Sequence, residues 1–204
     1  MTSWKNLVAT LGVAALVVVP TASAARTGQH GNLGHPGLPG AETALAKLFS
    51  GTAQVELREH FAGEAVLAGL VGSNATNLQD AISGETTEAT IMYPGFAAQA
   101  TADKCPSAAT LFGEIAGDEA GHAAAYTIAL QALTNPTVKV PKPPVVDPVV
   151  ITASTPACPG TQTQTNLLTA MHGEAFAYAK YTAYAGQAQR YRAHQHHRHQ
   201  AGRH

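Results

Sequence analysis

The chain of 204 residues has little charge. Asp, Glu, Lys and Arg make up 12% of it against 45% hydrophobic residues, and the formal net charge is -1. A nucleic-acid-binding surface needs a clustered basic excess, and the sequence offers no such footprint. Cysteine is scarce as well. Cys105 and Cys158 stand alone, outside any C-x-x-C pair, which excludes the four-thiolate sites of zinc ribbons and iron–sulfur proteins. Long apolar runs are missing too. The stretch Leu7–Val19 is short of the roughly 20 residues that a membrane span needs. Nothing alternates in the manner of a strand.

The first residues, "MTSWKNLVATLGVAALVVVPTASAA", combine one Lys, that apolar run and the small-residue site Ala22-Ser23-Ala24. This pattern predicts a secretory signal over 1–24, cleaved after Ala24 or Ala25, and hence a secreted, periplasmic or cell-envelope protein. Residues 25–40, rich in Gly, Pro and His, predict a flexible leader. From Ala41 to about Val71 the pattern is helical, with Leu45, Leu48, Phe49, Leu67 and Leu70. "GSNAT" interrupts it, and Thr76 or Asn77 is the expected cap of a second helix running to about Ala102, kinked at Pro94. A third helix is expected from about Ser107 to Leu133, with Pro106 at its first position. Its Gly113, Gly117 and Gly121 would admit a close neighbour. Residues 134–160 hold seven of the 12 prolines and predict an extended linker. A fourth helix is expected from Thr163 to Gln189, followed by a disordered tail, 190–204, with five His and four Arg. The expected fold class is all-α, a four-helix bundle over 41–189.

Each expected helix carries a carboxylate in its apolar stripe. The stripes read Leu45, Phe49, Glu56, His60, Leu67, Leu70 in the first helix and Leu78, Ile82, Glu85, Glu88, Met92, Phe96 in the second. The third has Leu111, Phe112, Ile115, Glu119, His122, Tyr126. The fourth has Leu167, Met171, Glu174, Tyr178, Tyr181, Ala185. A single glutamate so placed would more often face solvent, but four helices repeat the pattern. Converging carboxylates repel one another and are costly to bury unpaired. Lys is nearly absent from the stripes, so cations of another kind are expected. Carboxylate with imidazole suits iron or manganese.

These residues resemble a known family. "GETTEATIMYPGFA" and "IAGDEAGH" are similar to the third and fourth bundle helices of rubrerythrins, "NLLTAMHGEAFAYAKYTAYA" to their first, and "LAKLFSGTAQVELREHFAGEA" to their second. The order second, third, fourth, first looks like a circular permutation of that ferritin-like bundle, with the Pro-rich segment joining old ends. The resemblance implies metal ligands at Glu56, His60, Glu85, Glu88, Glu119, His122 and Glu174. It implies tyrosines near the metals at Tyr93 and Tyr181, in catalytic or positioning roles. In "ELREH" the Glu–His spacing is four where the family has three, and Glu59 competes with Glu56 and His60. The four-cysteine rubredoxin-like centre of classical rubrerythrins is missing, so the electron donor is unknown. The permuted order would also place the starts of the third and fourth helices at one end, which predicts a Cys105–Cys158 disulfide.

The function so implied is an exported di-iron protein (manganese being the alternative metal) that reduces peroxide or oxidises Fe(II), using peroxide or dioxygen. The alternative is a metal-binding or iron-handling bundle with little turnover, to which His194, His196, His197 and His199 of the tail would contribute. His172 is expected at the surface or behind the ligands. A homodimer is a further expectation, because bundles of this family can pair or swap helices.

Overall fold

The computed structural model describes the backbone of residues 41–201 and the side chains of 42–192. The expected signal segment and the leader lie outside the described residues, as do the side chains of the tail histidines. The bundle lies in the unit that begins at Ala46.

The described residues form four helices. α1 comprises Ala41–Val55, a π-helical stretch Glu56–Phe61, and Ala62–Leu67. α2 comprises Asn74–Thr87, a second π stretch Glu88–Met92, and Tyr93–Ala102. α3 is Pro106–Ala132 and α4 is Gln162–Ala201. The fold is all-α, with no strand among the described residues. α4 continues as helix beyond Gln189, into the segment expected to be disordered. None of the described helices is long and apolar enough to cross a membrane.

Local chemistry sets the helix boundaries. Ser73, not Thr76 or Asn77, is the N-cap of α2. Its hydroxyl accepts the Thr76 N–H at 3.1 Å, satisfying one of the amides that a helix start leaves unpaired. Asn77 is buried and reaches back instead, accepting the Gly72 N–H at 2.8 Å and donating to the Gly72 carbonyl. α1 ends where Gly69 takes a φ of 63°, a left-handed conformation that glycine adopts without a side-chain clash. Ahead of Pro94, which has no amide to donate, the ladder passes through the π stretch Glu88–Met92. Pro106 begins α3.

The α2–α3 loop also caps α4. The Asp103 carboxylate accepts from both the N–H and the hydroxyl of Thr163, at 2.8 and 2.7 Å. These bonds hold the Asp103 carboxyl below its ordinary range. Beside it runs the predicted Cys105–Cys158 disulfide, with Cα atoms 6.1 Å apart. The starts of α3 and α4 are therefore tied together at one end. Above this tie lies the apolar core of α2, α3 and α4, built on Tyr93, Ala100, Ala108, Phe112 and Ala170. Phe96 packs on Phe112 with ring centroids 5.4 Å apart.

Two further expectations are corrected. The stripe read on α1 is not a core stripe in this structure: Phe49 is 71% exposed, Leu67 is 91% exposed, and no residue of Glu56–Leu67 is buried. α1 touches α4 through an edge-on contact of Phe61 with Phe176 and leaves a cavity of about 820 Å³ between the two helices. Periodicity identifies an apolar face but not what covers it. The glycines of α3 admit no close neighbour either, since a Cβ at Gly113, Gly117 or Gly121 would meet nothing within 4 Å.

Candidate metal centre

α2 and α3 lie side by side and bring their mid-helix carboxylates together. Glu85 is 2% exposed and Glu119 is buried beside it. One turn after Glu119, His122 places Nδ1 2.7 Å from Glu119 Oε2 and 3.5 Å from Glu85 Oε2. One ligand atom from each of these three residues lies within 4.8 Å of the others. This is the spacing of donors around a cation, and a carboxylate–imidazole set suits first-row divalent metals.

Two tyrosines orient the carboxylates. The Tyr181 hydroxyl donates to Glu85 Oε1. Glu85 Oε2 is left buried with no hydrogen-bond partner, next to Glu119 and His122. The Tyr93 hydroxyl donates in the same way to Glu174 Oε1, which brings α4's glutamate to the core that α2 and α3 form. Burial and the bonded carboxylates push both phenols well above their ordinary range, so both stay donors. Tyr126 packs on Tyr181.

Among the described residues, the carboxylates of the cluster outnumber the cations that reach it. Burial, followed by the neighbouring Glu85, pushes Glu119 up to about 9. Burial and the charges of Glu85 and Glu174 raise Glu88 as well. One cation does approach, and the stripes of the sequence do not reveal it. Lys180 is buried, pairs with Asp80 at 2.9 Å and lies over the Tyr181 ring. Tyr184 donates to the same Asp80 oxygen at 3.0 Å. Lys180 lowers Glu88 only as a lesser influence. Its signal in the sequence is its phase, one helical turn before Tyr184 on the buried side of α4.

The expected ligands therefore fall into three groups. Glu85, Glu119 and His122 form the cluster. Glu88 is half-buried next to it, and Glu174 is held at its edge by Tyr93. Glu56 and His60 stand apart: they bond to each other at 3.0 Å, with side chains 63% and 56% exposed. Glu59 shares their exposed π stretch, and His172 is exposed on α4. The "ELREH" segment lies in the π stretch Glu56–Phe61, where i→i+5 bonds take up about one extra residue; residues four apart share one side there as they do in an ordinary helix.

The buried, unpartnered Glu85 oxygen and the donor chemistry around it fit a metal ion. Residues 41–130 match the family model described as Rubrerythrin. No curated protein and no solved structure matches the chain.

Proposed function

Given that residues 41–130 belong to the rubrerythrin family, we propose that this chain is an exported di-iron protein that reduces peroxide. The observation that carries the reading is the convergence of Glu85, Glu119 and His122, one donor atom of each within 4.8 Å of the others, around a buried Glu85 Oε2 that only a proton held by a neighbouring metal-ligand candidate can meet. An unpaired buried carboxylate oxygen is costly, and a cation at that point would remove the cost. Glu85, Glu88, Glu119, His122 and Glu174 would hold the ions, with Glu56 and His60 as the remaining donors. A bound iron pair would supply electrons to peroxide or dioxygen.

The chain's own residues do the positioning. Tyr181 and Tyr93 each occupy one carboxylate oxygen, so the second oxygen of Glu85 and of Glu174 is free for the metals. Glu119 keeps its proton at neutral pH in the metal-free cluster and gives it up when a cation takes its place. The order of the helices, with the rubrerythrin-like first helix placed last, supports a circular permutation in which residues 134–160 are the new join. The disulfide is the kind found in oxidising compartments, which supports export.

The test is peroxide consumption by the iron-loaded protein with a small-molecule reductant. The proposal expects turnover that falls at least ~100-fold in Glu85→Ala/Glu119→Ala, in line with loss of the group that carries the chemistry. A wild-type rate equal to that variant would leave a metal-binding bundle without peroxidase activity. Export is tested separately: the secreted chain should begin at Ala25 or Arg26.

A further inference from the structure

A second cavity, of about 420 Å³, lies between the start of α2, the end of α3 and α4. That volume is within the range of small-molecule sites. Tyr126, Tyr181 and Tyr184 line it, and the Tyr181 ring centre is 5.5 Å from that of Tyr126 and 6.1 Å from that of Tyr184. No Asp, Glu, Lys, Arg or His stands among the described lining residues. The cavity between α1 and α4 differs, since Arg58 and Arg190 line it. Each feature narrows the occupant. A charged ligand would lose its water against an uncharged wall, so the occupant is neutral. Three aromatic rings suit another flat ring, stacked or edge-on. The Tyr181 and Tyr184 hydroxyls are taken by Glu85 and Asp80, and the Asn77 amide by Gly72. The Tyr126 hydroxyl and the Asn74 amide are the polar groups of the wall without a partner among the described residues, and they suit hydroxyls on that ring.

One lining side chain reaches the cluster. Tyr181 stands in the cavity wall and donates its hydroxyl to Glu85, so a molecule stacked on Tyr181 is one side chain away from a candidate metal ligand. Peroxide reduction needs electrons from outside, because Cys105 and Cys158 are joined to each other and neither is free to hold a thiolate iron centre. We propose that this cavity binds a neutral hydroquinone, an aromatic ring with two hydroxyls, and that the hydroquinone is the reductant for peroxide at the cluster. Its two O–H bonds break, giving a quinone, two electrons and two protons. The O–O bond of peroxide breaks and takes these up, giving two waters. The electrons cross Tyr181 to reach the cluster. The role as reductant rests on the peroxide reading above; the binding does not.

Binding is tested on the metal-free full chain by anaerobic titration calorimetry, with naphthohydroquinone as the probe and naphthoate as its charged counterpart. Saturable binding of naphthohydroquinone is expected, at least ~10-fold tighter than that of naphthoate. Ala185→Trp and Ala188→Trp, at exposed positions of the wall, put a large ring into the cavity and should each weaken binding at least ~10-fold. Tyr126→Phe should weaken it about 5-fold, through loss of one hydrogen bond. Circular dichroism checks that the variants stay helical. A wild type that does not bind, naphthoate binding as tightly, or folded tryptophan variants that bind like the wild type would each overturn the proposal. Turnover of the iron-loaded chain then tests the role as reductant. One quinone is expected per peroxide consumed, and Ala188→Trp should lower hydroquinone-driven turnover relative to ascorbate-driven turnover. Turnover with ascorbate and none with hydroquinone overturns the role as reductant. Binding with turnover from neither overturns the peroxide reading and leaves the hydroquinone site standing.

Discussion

Glu119 holds its proton up to about pH 9, against an ordinary value of 4.5. Between these two values the folded chain binds more protons than the unfolded chain. The stability this contributes is fully present below about pH 4.5 and is lost as pH rises through about 9. Metal-free protein should therefore melt at progressively lower temperature from pH 5 to pH 9, and metal-loaded protein should lose that slope. Thermal unfolding followed by circular dichroism decides this, and a flat or rising profile for the metal-free chain would contradict it. Glu85→Gln separates stability from binding at the same site. The amide keeps the Tyr181 contact but removes a like charge from the cluster, so the metal-free Tm should rise by about 3 °C or more. Metal affinity should fall at least ~10-fold. With those two results function and stability would oppose one another at this residue, as they do where charges are gathered for chemistry.

At the scale of elements, the two π stretches begin at Glu56 and at Glu88. π turns are rare and often mark functional sites. Deleting Arg58 gives Glu-x-x-His, the spacing of the family, and should turn the π stretch of α1 into ordinary helix. The variant is expected to keep its helicity and metal stoichiometry, measured by circular dichroism and elemental mass spectrometry. Loss of metal would show that the longer spacing is itself required. Ser73→Ala should cost about 1 kcal/mol, the usual effect of losing a helix cap, readable in urea unfolding. The sequence showed Glu85, Glu119 and His122 clearly, because a polar group at a core phase stands out against apolar neighbours. It did not show the π turns, since a change from i→i+4 to i→i+5 bonding has no residue code of its own. It also hid the buried Lys180, whose partner Asp80 lies one hundred residues away in the chain.

At the scale of the molecule, the four helices were legible from spacing and from Pro and Gly punctuation, and the disulfide from the order in which family-like helices occur. The position of α1 was not, because an apolar face does not specify its cover. The Cys105–Cys158 bond closes a separation of 53 residues, worth about 4 kcal/mol in the chain-entropy model. Cys105→Ser/Cys158→Ser should therefore lower Tm by roughly 10 °C, with the cluster retained. The central claim is that α2 and α3 gather Glu85, Glu119 and His122 to hold metal. Elemental mass spectrometry of the purified chain after anaerobic Fe(II) loading tests it most directly, beside Glu85→Ala/Glu119→Ala and a chain lacking residues 193–204. The account predicts iron in the wild type, its loss in the double variant and its retention without the tail. A wild-type chain that holds no iron or manganese, or a double variant that holds as much, would contradict it.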